Sequence, residues 1–503
     1  MTLNILEEIE DGSLRGRSVR GGVATLIAQG AKMLVRLASQ ILIARLLTPA
    51  DYGLVAMVGP VLALLMLLAE MGLGQAVIQH PKITHQQLSS LFWLGMLINA
   101  ALALIVVAIS PLIALAYGEP RLTLLAIGLA ALIPISSLQA QHLALLTRNM
   151  RFGALAVIDI VPPLVGLAFG LWAAKSGFSY WSLVVAAGAD IIGSVALAWI
   201  FSRWRPGLFW RGTGVRAIAR VGGHLTASNL ANYATTTFDT ILLGMTRGEI
   251  VLGLYDRGYR LVTQPLYQLM APFGRVAIPL LIRLREDEAR YRSAFLQIMQ
   301  LQLLLITPGI LAVMIFAKPV FGFLLGPRWE GVAPIAAWLC IGGISSPLFT
   351  SALWLFFTQG RTAEQLRYVI WTSILSVLGF VAGLPWGAVG VAAGAGLSFL
   401  LLSTPLVFWG ATRTGPVRGG AVVRALLPVA MAALAAAGAL VLLSRADALP
   451  PVMVAITILP IAYGSFAALL AALPSGRQIL RGGWALLSSL RPSPRIAGQG
   501  DTL

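Results

Sequence analysis

Apolar residues fill the chain in runs of about twenty, the length that crosses the roughly 30 Å hydrocarbon layer of a bilayer. Short polar stretches, many with Gly or Pro, separate them. The pattern predicts fourteen spans, near 21–46, 54–74, 91–117, 122–146, 153–174, 178–201, 219–245, 251–281, 294–317, 330–357, 366–384, 387–410, 422–443 and 451–473. Pro and Gly inside several of them are tolerated where neighbours or water satisfy the freed backbone groups. The predicted fold class is an all-α polytopic membrane protein.

Polar positions interrupt this pattern in a regular way. The first span, "AQGAKMLVRLASQILIARLL" (28–47), carries Gln29, Lys32, Arg36 and Gln40. At about 100° per residue they share one arc of the helix. Span 7, "ASNLANYATTTFD" (227–239), places Asn229, Asn232, Thr236 and Asp239 on a similar stripe, and span 8 adds Arg260, Gln264, Gln268 and Arg275. A Lys or Arg at a helix centre costs about 2.5–3.5 kcal/mol on insertion scales, so such residues face water or a partner rather than lipid. Two readings stay open. The cations line a cavity between lobes and meet an anionic ligand, or they pair internally with Glu70, Asp159, Asp190 or Asp239.

The chain also repeats itself. Shifted by 200 positions, "ILIARLLTPADYGL" (41–54) falls on "ILLGMTRGEIVLGL" (241–254). Ile41, Leu42, Gly53 and Leu54 then meet Ile241, Leu242, Gly253 and Leu254, and Gly74 meets Gly274. Gln29, Lys32 and Arg36 fall on Asn229, Asn232 and Thr236. Six spans separate the copies, an even number, so the halves run parallel about an axis along the membrane normal, as in transporters. The expected organisation is a segment 1–20, an N-lobe 21–218 (spans 1–6), a C-lobe 219–410 (spans 7–12), two C-terminal spans within 411–474, and a basic, Pro/Gly/Ser-rich tail 475–503 that reads as disordered.

Charge sharpens this picture. The 503 residues are 58% hydrophobic and only 11% charged, with a net charge of +17. With the N-terminus inside, 24 of the 36 Lys and Arg fall in inner segments and eight in outer ones. That positive-inside bias puts both termini in the cytoplasm and explains the net charge without nucleic-acid binding. The longest loop, "RWRPGLFWRGTGVRAIAR" (203–220), reads as topology-setting more than as a lipid-headgroup site. Residues 1–20 are polar, and the run after them is too long for a signal-peptide core, so no cleavage is expected. Cys340 has no partner for a disulfide, and His80, His85, His142 and His224 lack metal-ligand spacing, so neither a metal nor a catalytic group is expected.

The segment "SVRGGVATLIAQG…ILIARLLTPADYGLVAMV…GLGQAVIQ" resembles the start of the Wzx-type polysaccharide flippases. These form the polysaccharide transport branch of the multidrug/oligosaccharidyl-lipid/polysaccharide exporter superfamily. Ala44 to Pro49, Asp51 to Leu54 and Gly72 to Gly74 carry the resemblance, with "VLGLYDRGYRL" (251–261) and "LLTRNMRFGALAVIDI" (145–160) further on. The variant most like this chain is the colanic-acid-exporter type. The resemblance covers about the first 300 residues. It implies fourteen spans in two lobes and an inner-membrane location. It implies movement of undecaprenyl-pyrophosphate-linked oligosaccharide to the outer leaflet by alternating access, driven by a proton or sodium gradient. A polysaccharide polymerase and a chain-length regulator are the implied protein partners.

On this reading Lys32, Arg36, Arg260 and Arg275 meet the pyrophosphate. Gln29, Gln40, Asn229, Asn232, Gln264 and Gln268 meet sugars, and Asp190, Asp159 and Asp239 are candidates for ion coupling. Arg suits phosphate oxygens bidentately, and Lys acts as a point charge. The alternatives are a drug or cation antiporter of the same superfamily, which the three aspartates keep open, and a flippase for a peptidoglycan precursor. A membrane polymerase or ligase is disfavoured by the short outer loops.

Overall fold

A computed structural model of the chain describes residues 30–70, 77, 83–208, 215–445, 451–474, 476–477 and 479–480. The side chains of 68–70, 215–236 and 451–456 lie outside the described set. The regular elements among the described residues are all helices, with no strand. In order the helices are α1 (30–44), α2 (Pro49–Glu70), α3 (His85–Tyr117), α4 (Arg121–Ser137), α5 (Ala140–Arg148), α6 (Phe152–Lys175), α7 (Trp181–Ser202) and α8 (Val215–Arg283). There follow α9 (Glu288–Ile315), α10 (Ala317–Leu325), α11 (Val332–Thr358), α12 (Thr362–Gly383), α13 (Gly387–Ser398), α14 (Thr404–Arg413), α15 (Gly419–Arg445) and α16 (Pro451–Ala472).

Among the described residues, ten helices are long and apolar enough to cross a membrane, which makes this a polytopic α-helical membrane protein. Two of the ten, Thr237–Arg283 and Thr362–Arg413, run to 47 and 52 residues, more than double the length one crossing needs. Each is interrupted by a glycine with positive φ, which a side chain would strain. Gly248 (φ 78°, ψ −177°) breaks α8 between the expected spans 7 and 8, and Gly387 (φ 67°) stands at the start of α13, after α12.

Local chemistry sets the helix ends. At α3, Thr84 Oγ1 accepts from the Gln87 N–H at 3.2 Å while the Gln87 amide oxygen accepts from the Thr84 N–H at 3.0 Å. This reciprocal cap satisfies two otherwise orphaned donors, and Gly118 closes the far end in the left-handed conformation. At α2, Thr48 and Asp51 make the same exchange around Pro49 at the first helical position.

Two compact units divide the described residues. The first holds the residues up to Arg257 together with Leu324–Trp329; the second holds Gly258–Phe323 and the residues from Glu330 onward. In the first, α6 lies against α7 and α3 against α4. In the second, Tyr291, Phe295, Met299, Leu355, Phe356 and Phe466 form a close-packed apolar centre among α9, α11 and α16. Apolar side chains also cover the outside: Leu97, Leu104, Leu112 and Leu115 stand exposed along α3. A continuous face of that kind suits lipid rather than water.

The 200-residue repeat has a physical counterpart in the first unit. A methyl added at Gly53 would stand 1.7 Å from the Glu249 carbonyl oxygen, and one added at Gly253 would stand 1.9 Å from that of Pro49. Residues 49 and 249, like 53 and 253, are 200 apart, so exchanging the two segments maps the contact onto itself. That reciprocity is a two-fold relation between 49–54 and 249–254, and only glycine permits backbones this close.

Candidate functional site

The polar stripe of α1 finds its partners inside the first unit. Lys32 Nζ donates to Asp159 Oδ1 of α6. Both side chains are about one-third exposed, so the pair is neither stripped of water nor free in it. Arg36, one turn further on, is exposed, and the charges of Arg36 and Lys32 both act on Asp190 of α7. Two cations and two acids from three helices thus form one cluster. Gln40, next along the stripe, buries its amide oxygen without a hydrogen-bond partner, and buried polar atoms rarely stay unsatisfied.

The sequence of α6 explains why these groups converge. Gly166 and Gly170 are four apart, a small-xxx-small stripe that lets membrane helices approach closely. A methyl at Gly166 would stand 2.7 Å from the Ala186 carbonyl oxygen and 3.0 Å from Asp190 Cβ. At Gly170 it would meet Ala186 Cβ at 2.8 Å and Ile43 Cδ1 at 2.9 Å, so α1, α6 and α7 touch at this point. Pro162 and Pro163 lack the N–H groups that would bond back to the carbonyls of Ile158 and Asp159. These two carbonyls lose their usual helical donors.

Other residues expected at the site are placed as follows. Gln264, Gln268 and Arg275 are exposed along α8 in the second unit, with Arg260 partly buried on the same helix. Asp239 is buried in the first unit and takes different partners from the cluster, accepting from Tyr255 Oη at 2.5 Å and the Thr240 N–H at 2.7 Å. Gln29 and the side chains of Asn229 and Asn232 lie outside the described residues.

A second polar assembly was not singled out in the sequence. Ser179 Oγ donates to Asp51, already engaged with Thr48, and ties the start of α2 to the turn before α7. The next residue, Tyr52, carries the Arg257 guanidinium 4.0 Å above its ring and meets Trp329 edge-on at 5.4 Å. Arg257 is only 5% exposed and is neutralised by Asp256 at 2.6 Å. Trp329 Nε1 donates to the Ala44 carbonyl at 2.9 Å, and Arg45 Nε to that of Leu324 at 2.8 Å. Nearby, Arg121 grips Glu119 with two bonds of 2.7 and 2.8 Å and reaches Glu249 at 3.5 Å. That hydrogen bonding holds Glu119 below the usual carboxylate range. The signal was present in "TPADYG" and in the Gly53/Gly253 match.

Asp159 and Asp190 lie on helices long and apolar enough to cross a membrane, where charged groups mark paths for a substrate or ion. The fold agrees. It is similar to a solved structure of the lipid II flippase MurJ in an inward closed conformation, with a TM-score of 0.71 at 14% identity, covering 89% of this chain and 98% of that one. A family model described as "Polysaccharide biosynthesis protein" matches residues 42–334. The chain belongs to that family, and the resemblance to the Wzx-type polysaccharide flippases holds.

Among relatives, the chain is 24% identical to the lipopolysaccharide biosynthesis protein WzxC of Escherichia coli K12, over 78% of this chain and 79% of that protein. It is 22% identical to the succinoglycan biosynthesis transport protein ExoT of Rhizobium meliloti, over 69% of this chain and 70% of that protein.

Proposed function

We propose that this protein moves undecaprenyl-pyrophosphate-linked oligosaccharide repeat units across the bacterial inner membrane, from the cytoplasmic to the outer leaflet, for exopolysaccharide, capsule or O-antigen synthesis. The observation that carries the reading is the α1–α6–α7 cluster, a set of opposed charges inside the first unit of a polysaccharide-biosynthesis transporter. The cargo's pyrophosphate is a strong anion. Arg36, exposed and one turn from Lys32, offers it a bidentate partner, and Lys32 joins when Asp159 yields. Gln40 and, outside the described set, Gln29 and the side chains of Asn229 and Asn232 are the proposed sugar contacts. Arg260, Gln264, Gln268 and Arg275 are proposed to extend the path along α8.

Coupling to alternating access is proposed to draw on the charge balance. With both acids ionised, the four groups cancel. A proton on Asp190 leaves one net positive charge, which favours the anion; its loss releases it. Asp190, with Asp159 and Asp239, is therefore the proposed coupling set. The proposed architecture has fourteen spans, with lobes 21–218 and 219–410, two further spans within 411–474, and the segment 1–20 and tail 475–503 in the cytoplasm. A polymerase and a chain-length regulator are the proposed partners at the outer leaflet.

The test is polysaccharide output beside membrane abundance in cells that depend on this protein. Arg36→Gln lowers output about 10- to 100-fold, the worth of one charge-assisted bidentate contact, at unchanged abundance. Normal output from the Lys32→Gln, Arg36→Gln double variant at normal abundance removes the anion site.

A further inference from the structure

The second unit carries a basic surface that the transport reading does not use. Its centre is Arg361, in the turn between α11 and α12. Nε and Nη2 bind the Glu364 carboxylate at 3.0 and 2.6 Å, while Nη1 and Nη2 cap the end of α14 through the carbonyls of Gly410, Ala411 and Thr414 at 2.8–3.1 Å. Every donor direction of Arg361 is occupied, and Glu364 is matched to it.

Two more guanidinium groups lie within electrostatic reach of the same carboxylate. The charges of Arg367 and Arg413 both act on Glu364, yet neither has a hydrogen-bond partner among the described residues, and both are exposed. The packing that brings them together is specific. A methyl at Gly410 would lie 2.2 Å from the Tyr368 ring, so the absence of a side chain there lets Tyr368 of α12 lie flat on α14. Tyr368 meets the exposed Trp409 at 6.5 Å, edge-on, and Arg413 stands 5.3 Å over the Trp409 ring. Arg367 and Arg413, which flank this aromatic pair along the chain, leave an excess of two positive charges once Arg361 and Glu364 cancel.

The surface continues as an amphiphile would require. Along α12, Arg367 is followed by Ile370, Trp371, Ile374 and Leu378, spaced three, four, seven and eleven residues on, and all four are exposed. That spacing keeps one helical face. On α14, Trp409 lies one turn below Arg413 on the same face. A paired cation at the end of an exposed apolar stripe, with Trp at the boundary, fits a charged headgroup above acyl chains.

We propose that Arg367 and Arg413 form a binding site for the phosphate of an anionic phospholipid whose chains lie along the outer face of α12. A free phosphate ion would use the two arginines alone; the apolar stripe favours the lipid.

The experiment is native mass spectrometry of the purified full-length protein titrated with phosphatidylglycerol, phosphatidylethanolamine or inorganic phosphate. The wild type retains phosphatidylglycerol in preference to phosphatidylethanolamine, and inorganic phosphate does not displace it. Arg367→Gln with Arg413→Gln weakens phosphatidylglycerol binding about thirtyfold, about fivefold for each arginine removed. Arg367→Lys with Arg413→Lys retains most of it. Arg290→Gln with Arg292→Gln, which removes equal charge from the exposed start of α9, leaves it unchanged. Equal losses in the two Gln pairs, no preference between the two lipids, or displacement by inorganic phosphate would each overturn the proposal.

Discussion

At Lys32 the bilayer sets a cost and Asp159 meets it. The partner is 127 residues away, which is why residue patterning left it among four candidate acids. What patterning did carry was the stripe itself, because helical spacing is local while ion pairing is not. The pair makes a separable prediction. Lys32→Gln alone leaves Asp159 without its cation and lowers membrane abundance; adding Asp159→Asn restores abundance but not transport. If the double variant is no more abundant than the single, the pair contributes nothing to folding, and membrane immunoblots decide between the two. Asp190 makes another. It sits where Arg36 and Lys32 act, held against Gly166, so Asp190→Asn keeps the fold and removes the dependence of transport on the proton gradient. Transport by that variant that still follows an imposed pH gradient would exclude the coupling role.

Among the elements, hydropathy placed the helices well because a bilayer enforces one length on every crossing. The breaks were harder to read. A glycine ends α8's first half at Gly248, and the chain elsewhere holds many glycines that break nothing. The repeat was legible as four identities around 41–54, and its meaning became physical only where Gly53 faces Glu249 and Gly253 faces Pro49. Because the contact is reciprocal, Gly53→Ala and Gly253→Ala should destabilise alike, by about 1–3 kcal/mol each, as overpacking commonly does. The double variant should cost less than the sum, since the first change already separates the backbones. Thermal melting of the purified variants checks this; additive losses would mean that the two glycines serve unrelated contacts.

For the molecule as a whole, the first unit closes on residues distant in sequence, with Leu324–Trp329 joining the chain up to Arg257. Trp329 reaches Ala44, and Tyr52 reaches both Trp329 and Arg257. A reading based on sequence order assigns such residues to separate lobes, so this packing lay beyond it. The topology remains a proposal with a direct check: reporters fused after Arg211 or Arg290 will be cytoplasmic, and those after Glu119 or Asp447 outside. A cytoplasmic signal at Asp447 would remove the fourteen-span arrangement. The central claim is that this chain carries a pyrophosphate-linked glycolipid by means of Arg36 and its neighbours. The measurement that meets it most directly is translocation of a labelled undecaprenyl-pyrophosphate oligosaccharide in vesicles holding only the purified protein. The account predicts movement by the wild type and loss of most of it in Arg36→Gln, with the protein equally abundant in the vesicles. Equal movement by the two proteins, or none by the wild type under either a proton or a sodium gradient, would contradict it.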